Sequence, residues 1–135
     1  MRNKCLALVS ILVILLSVSL SGCSKYTSSF IASIYIHSSD SDSASMRFDS
    51  FKGREVMKFK APKNKKTTIH YKATLGEGTA TVFYDDGTKN ELFTIKEGES
   101  LEASFGEFED TTIYVIFETD GKCKDGKVEL ELEEI

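Results

Sequence analysis

The sequence predicts an all-β domain, a two-sheet antiparallel β-sandwich of about eight strands over residues 46–135, jelly-roll or immunoglobulin-like. Two observations lead to this prediction. Apolar and polar residues alternate with a period of two in several runs, which is typical of strands with one buried face. Glycine- and aspartate-rich turn signals separate these runs at spacings of about 8–12 residues, and no segment of similar length shows a helical period. A closed barrel is the alternative architecture.

The individual strands follow from this alternation. In Thr67–Leu75, the odd-numbered residues form an apolar face that includes Ile69 and Tyr71, and the even-numbered residues, His70 among them, form a polar face. Ile113–Phe117 is apolar on both faces, which predicts a central strand covered on both sides. The candidate strands are 46–51, 54–60, 67–75, 79–84, 91–95, 100–105, 113–117 and 128–132.

Five short segments are predicted as turns between strands. Glycine adopts the positive φ that tight turns require, and aspartate tolerates it. The predicted turns are Gly76-Glu77-Gly78, Asp85-Asp86-Gly87, Glu97-Gly98, Asp120-Gly121 and Asp125-Gly126. The sole proline, Pro62, lies in a basic loop at 61–66, outside any central strand.

The first 22 residues have the composition of an export signal. Arg2 and Lys4 precede an uncharged apolar run of 16 residues, which ends at Leu20. A helix that spans a bilayer needs roughly 20 apolar residues, so a cleaved signal is favoured over a spanning segment. The segment Leu20-Ser21-Gly22-Cys23 resembles the lipobox of bacterial lipoproteins, in which an aliphatic residue and two small residues precede a cysteine.

The resemblance implies a lipid-anchored protein. Cleavage would fall between Gly22 and Cys23, and the Cys23 sulfur would carry diacylglycerol, a two-chain anchor that holds stably to a membrane. The mature chain would then be attached to the bacterial cell membrane on its exported, extracytoplasmic side. The resemblance covers only about the first 25 residues and leaves the rest of the chain unassigned.

Residues 23–45 are predicted to form a tether between the anchor and the domain. Ser24–Ser45 holds nine serines, and such a stretch buries too little apolar surface to offset the entropy of ordering. Residues 30–36 interrupt it with β-forming side chains. They are either a first strand or a segment that stays near the lipid surface.

The net charge and the cysteine content indicate which partners and which disulfides to expect. The net charge is −4, and it becomes −6 without Arg2 and Lys4, so neither nucleic acid nor anionic lipid is a favoured partner. The cysteines are Cys5 in the leader, Cys23 and Cys123. If Cys23 is lipidated, Cys123 lacks an intramolecular partner, and a disulfide is not expected.

No set of residues in the sequence predicts catalysis, a metal site or a cofactor. The two histidines, His37 and His70, lack a local nucleophile motif. The aspartates at 40 and 42 and at 85 and 86 lack the spacing of a calcium loop. A weak surface Ca²⁺ site in a loop of the sandwich is the alternative.

The domain is therefore expected to be non-catalytic and to serve as a protein-interaction or assembly module at the cell surface or envelope. A glycan- or wall-binding module is the alternative, for which Tyr84 and Tyr114 are the remaining aromatic candidates. The basic loop at 61–66 could contact anionic headgroups or wall polymers. Phe108, among acidic residues, is expected in the core rather than at a docking site.

Overall fold

A computed structural model describes residues 26–135, so the predicted leader, the cleavage position after Gly22 and the lipidation residue Cys23 lie outside the described residues. The described chain is built from antiparallel strands. The strands are β1 (Ser29–Ser33), β2 (Ile36–Ser39), β3 (Ser43–Ala61), β4 (Thr67–Asp85), β5 (Lys89–Lys96), β6 (Ser100–Phe108) and β7 (Thr111–Glu134). Between residues 26 and 135 there is no helix long and apolar enough to cross a membrane.

The sandwich forms because three long strands bend and contribute to both layers. β3, β4 and β7 each bend near their middle, where the pairing register shifts. One half of each strand pairs within the first layer, and the other half pairs within the second. The first layer has the order β2, β3, β7, β4, β6 and uses residues 43–51 of β3. The second layer has the order β3, β7, β4, β5 and uses residues 54–61 of β3, and β1 pairs with residues 50–54 of β3, at the bend between the two layers.

Glycines permit two of these bends. Gly53 in β3 has φ 130° and Gly78 in β4 has φ 95°, a region that other residues rarely adopt. A Cβ at Gly53 would lie 2.3 Å from the carbonyl oxygen of Ser29, and one at Gly78 would lie 2.8 Å from the sulfur of Cys123. Both positions therefore require the absence of a side chain as well as the unusual backbone conformation.

Aromatic contacts between the layers confirm the predicted sandwich. Tyr71 of the first layer stacks on Phe93 of the second, with ring centroids 4.4 Å apart. At one end of the core, Tyr84 contacts Phe108 edge-on at 5.8 Å. Phe108 is buried, as predicted. The core is thus a continuous apolar layer between the two halves of one folded sheet.

The predicted strands are present, but several are joined. Candidates 46–51 and 54–60 are both part of β3, 67–75 and 79–84 are both part of β4, and 113–117 and 128–132 are both part of β7. The prediction that 113–117 is central is confirmed, because β7 lies between β3 and β4 and Ile116 on its outer face is also buried.

Three of the five predicted turns are wrong. Asp85-Asp86-Gly87 and Glu97-Gly98 do separate strands, whereas Gly76-Glu77-Gly78 lies within β4, and Asp120-Gly121 and Asp125-Gly126 lie within β7. The reason is that a bend in a continuous strand needs the same positive φ as a hairpin turn. Gly121 has φ 75° and Asp125 has φ 54° without reversing the chain.

The sheet also extends into the stretch predicted as a tether. β1, β2 and the start of β3 fall within 23–45, so the described part of that stretch is largely paired into the sandwich. The possible strand at 30–36 is present as β1 and the beginning of β2. Phe30 and Tyr35 explain the difference. Their rings pack on Phe51 with ring centroids 4.8 and 5.9 Å apart and bury apolar surface, which a count of serines does not take into account.

Candidate functional site: a serine-lined groove on the first layer

A polar groove of about 270 Å³ lies on the outer face of the first layer. Its side chains come from four neighbouring strands: β2, β3, β7 and β4. The groove is lined by Ser38, Ser43, Ala44, Ser45, His70, Lys72, Glu129, Leu130 and Glu131. We call it the serine groove. Its volume is close to the lower end of the range for small-molecule sites.

Strand register brings these residues together. Ser45 pairs with Glu129 across β3 and β7, and His70 pairs with Glu131 across β7 and β4. Because side chains alternate along a strand, the polar members point outward and their apolar neighbours enter the core. The alternation that builds the core therefore also builds the groove.

At the edge of the groove, His70 joins a short hydrogen-bonded chain. Ser104 Oγ on β6 lies 3.0 Å from Nδ1 of His70, and Glu102 Oε1 lies 3.3 Å from its Nε2. The imidazole and the carboxylate are solvent-accessible, at 30% and 58% side-chain exposure. A serine, a histidine and an acid are thus adjacent, although the acid is too exposed to hold the imidazole as rigidly as a buried carboxylate would.

The charges in the groove nearly balance. Lys127 Nζ lies 3.2 Å from Glu129 Oε1, and Lys72 lines the same surface as Glu131. Carboxylates accept hydrogen bonds, ammonium groups donate them and serine hydroxyls do both. The groove therefore offers closely spaced donors and acceptors without a strong net field.

The other histidine lies above a buried carboxyl at the β1–β2 edge. His37 Nε2 is 3.7 Å from Oε1 of Glu55, a buried residue of β3. Burial raises the pKa of Glu55, and the neighbouring His37 and the hydroxyls of Tyr35 and Ser28 partly oppose that shift. Burial and the Glu55 charge likewise raise the pKa of the Tyr35 phenol. None of Tyr35, His37 and Glu55 is among the residues that line the serine groove.

The sequence candidates for metal binding do not converge. Within residues 26–135 no group of three or more histidine, cysteine or acidic side chains is arranged to hold a metal ion. Asp85 instead accepts hydrogen bonds from the hydroxyl of Tyr26 and from the backbone N–H of Gly87. It thereby fixes both the β4–β5 turn and the beginning of the described chain.

Other sequence candidates have structural contacts. Lys66 of the basic loop lies 3.1 Å from Glu107, so this loop and the acidic stretch near Phe108 meet at one end of the sandwich. Tyr84 is packed against the core, and Tyr114 lies beneath Tyr26 with ring centroids 5.5 Å apart. Cys123 is a buried free thiol whose pKa is raised chiefly by burial.

Comparison with known proteins identifies no family: no family model matches the chain, and no curated protein matches it. Among solved structures, one described as CBM4 structure and function has a TM-score of 0.41 and 12% identity, over 77% of this chain and 80% of that one. The family 29 carbohydrate-binding module CBM29-2 has a TM-score of 0.40 and 12% identity, over 80% and 85%. The Drosophila melanogaster CENP-C cupin domain has a TM-score of 0.32 and 16% identity, over 76% and 80%. Because these three TM-scores are below 0.5, the similarities do not indicate a ligand for this chain.

Proposed function

We propose that this chain is a lipid-anchored, non-catalytic binding module on the exported side of a bacterial membrane, and that its serine groove binds a hydroxyl-rich ligand of the glycan class. The anchor is inferred from the export signal and from the lipobox-like segment that ends at Cys23. The binding function is inferred from one observation, the dense set of donors and acceptors that lines the groove.

The chemistry of the groove favours a polyol over a charged or apolar ligand. Each hydroxyl of a sugar both donates and accepts, so it can pair with a carboxylate such as Glu131 and with Lys72 or a serine at once. The near balance of charge gives an ionic ligand little advantage. Among the described residues, no phenylalanine, tyrosine or tryptophan lines the groove, so affinity would depend mainly on hydrogen bonds and would be weak, with a Kd of about 1 mM.

A binding role is favoured over catalysis at the Ser104–His70–Glu102 chain. Acyl transfer requires a rigidly oriented base and donors aimed at the developing oxyanion. Here the acid is more than half exposed, and Ser104 lies on β6, which pairs with β4 at the edge of the first layer. We expect no covalent labelling of Ser104 by a fluorophosphonate probe. Labelling that is lost in Ser104→Ala would show that the chain is a hydrolase.

Lipid labelling and detergent partitioning test the anchor. With a radiolabelled fatty acid, the wild-type chain should be labelled and enter the detergent phase, and Cys23→Ala should do neither. Cys5→Ala is the matched control, since it removes the other leader cysteine and leaves the lipobox-like segment intact. Labelling that persists in Cys23→Ala would contradict the proposed anchor.

Ligand titration tests the groove. NMR spectra of the ¹⁵N-labelled protein, recorded with cell-wall fragments and a panel of oligosaccharides, should show shifts centred on the groove strands. Glu131→Ala should weaken binding about tenfold, which corresponds to the loss of one hydrogen bond to a charged group, and His70→Ala should weaken it about threefold to tenfold. Glu97→Ala, in the β5–β6 turn, is the matched control. If no member of the panel shifts the groove resonances, the glycan proposal is refuted and the protein-interaction alternative is favoured.

A further inference from the structure

The serine groove continues along the outer face of the first layer into two further pockets. A narrow pocket of about 30 Å³ shares Lys72 and Glu129 with the groove and reaches Thr74 and Lys127. A third pocket of about 340 Å³ shares Thr74 and Lys127 with the narrow one. Its polar lining residues are Arg47, Asp49, Thr74, Asp125 and Lys127. The three pockets are therefore continuous, and we call them together the β7 trough.

β7 provides the axis of the trough. Its outward residues from Glu131 to Asp125 alternate with Leu130, Val128 and Gly126, which are buried. A strand rises about 3.4 Å per residue, so these six steps span about 20 Å. The serine groove occupies only the first part of this length. A site of this length is longer than a single sugar ring and fits a chain of several.

Polar side chains cross the trough in rows, one row for every second residue of β7. In the serine groove, Glu131 and Glu129 each lie between a serine of β3 and a basic residue of β4. In the next row, Lys127 lies between Arg47 and Thr74. The rows recur about every 7 Å, and each offers hydrogen-bond donors and acceptors. A ligand with repeating hydroxyl groups would meet the same kinds of partner at successive positions.

Arg47 is the strongest donor in the far part of the trough. Among residues 26–135, its guanidinium forms no side-chain hydrogen bond or ion pair, and Lys127 opposite it is paired with Glu129 at 3.2 Å. Two bases directly across a strand pair repel each other, so ligand oxygens between them would be stabilising. The guanidinium presents five donors in a planar fork, which can bridge neighbouring hydroxyls.

The charges of the far part balance, as they do in the serine groove. Arg47 and Lys127 share the third pocket with Asp49 and Asp125, two bases with two acids. An anionic polymer would meet the carboxylates as well as the bases. The balance therefore favours an uncharged, hydroxyl-rich chain along the whole trough.

We propose that the β7 trough binds a linear glycan lengthwise, with consecutive sugar units along β7 from Glu131 to Asp125. The trough would thus serve the glycan-binding function proposed above, on which this assignment rests, and would select linear chains over single sugars. The lining residues that neighbouring pockets share support it, because a chain can pass from one pocket to the next.

A length series tests the proposal. The ¹⁵N-labelled protein is titrated with β-1,4-linked N-acetylglucosamine dimers, tetramers and hexamers. From the dimer to the hexamer, the Kd should fall about thirtyfold, which corresponds to one net hydrogen bond for each of two further rows. A site that holds only two units would gain only about fivefold, because a hexamer contains five overlapping dimers. The shifted resonances should extend from Glu131 to Asp125.

Arg47→Ala separates the two parts of the trough. The loss of affinity should be about tenfold for the hexamer and at most about twofold for the dimer, because the dimer is held mainly in the serine groove. Lys60→Ala is the matched control. It removes another exposed base of β3, in the half of that strand that belongs to the second layer, and should change neither Kd.

The possible outcomes separate this proposal from the glycan function. A hexamer that gains fivefold or less over the dimer, or equal losses for both in Arg47→Ala, would overturn the lengthwise site and leave the glycan function standing. So would binding of a compact oligosaccharide when neither the dimer nor the hexamer binds. If no sugar of any form binds, the glycan function fails, and the lengthwise site with it.

Discussion

Removing one hydroxyl at Tyr26 should destabilise the domain measurably. The Asp85 carboxylate that accepts its hydrogen bond belongs to a residue only 3% exposed, so water cannot replace the lost donor. A hydrogen bond to a charged, buried group contributes about 1.5–3 kcal/mol, and Tyr26→Phe keeps the ring contact with Tyr114. We therefore expect a loss of about 2 kcal/mol in the free energy of unfolding, or a Tm lower by roughly 10 °C.

Urea denaturation of residues 24–135, followed by circular dichroism, measures this loss. The matched control is Tyr71→Phe, because its ring stacks on Phe93 and the substitution preserves that contact. The control should stay within about 0.5 kcal/mol of the wild type. A Tyr26→Phe variant as stable as the control would refute the view that the Tyr26 hydroxyl holds the beginning of the described residues on the sandwich.

Three further predictions concern the bend, the buried carboxyl and the thiol. Gly78→Ala should cost about 2–4 kcal/mol in urea denaturation, from its positive φ and the overlap with Cys123, whereas Gly87→Ala, with open space around it, should cost less. Because burial raises the pKa of Glu55, its contribution to stability is present below about pH 4.5 and lost as the pH rises through its raised folded-state pKa. Glu55→Gln should remove that decline above pH 4.5, and an unchanged pH slope would contradict it. Cys123 should resist iodoacetamide in the native protein and react on unfolding; rapid native alkylation would mean that β7 opens locally.

Much of the fold could be predicted from alternation alone. Burial of one sheet face forces a period of two, so Thr67–Leu75 showed which residues enter the core, and Ile69, Ala73 and Leu75 are buried. The all-apolar run at 113–117 likewise indicated the central strand. These features depend on local pattern, which a sequence displays directly.

The bends could not be predicted in the same way. A glycine with positive φ ends a strand in a hairpin and bends it in a folded sheet, and the neighbouring residues are alike in the two cases. Gly87 closes a hairpin between β4 and β5, whereas Gly78 carries β4 from one layer to the other. The choice between them depends on the partner strands, which are distant in sequence.

The groove escaped prediction for a related reason. His70 was identified as exposed, but its neighbours Ser104, Glu102 and Glu131 come from strands that begin more than 25 residues later. Each of them resembles an ordinary solvent-facing strand residue. The period of two did assign their outward direction, and only the strand order β2, β3, β7, β4, β6 places them together.

The edge strands β1 and β2 were partly visible in the sequence. The β-forming residues at 30–36 left two alternatives, a strand or a segment near the lipid surface, and the described structure shows the strand.

We propose that Cys23 anchors this sandwich to a membrane. Mass spectrometry of the N-terminal peptide, from protein extracted from the membranes of its own host, tests it most directly. We expect a chain that begins at Cys23 and carries a diacylglyceryl group on that sulfur. A chain that begins elsewhere, or one whose Cys23 is unmodified, would contradict it.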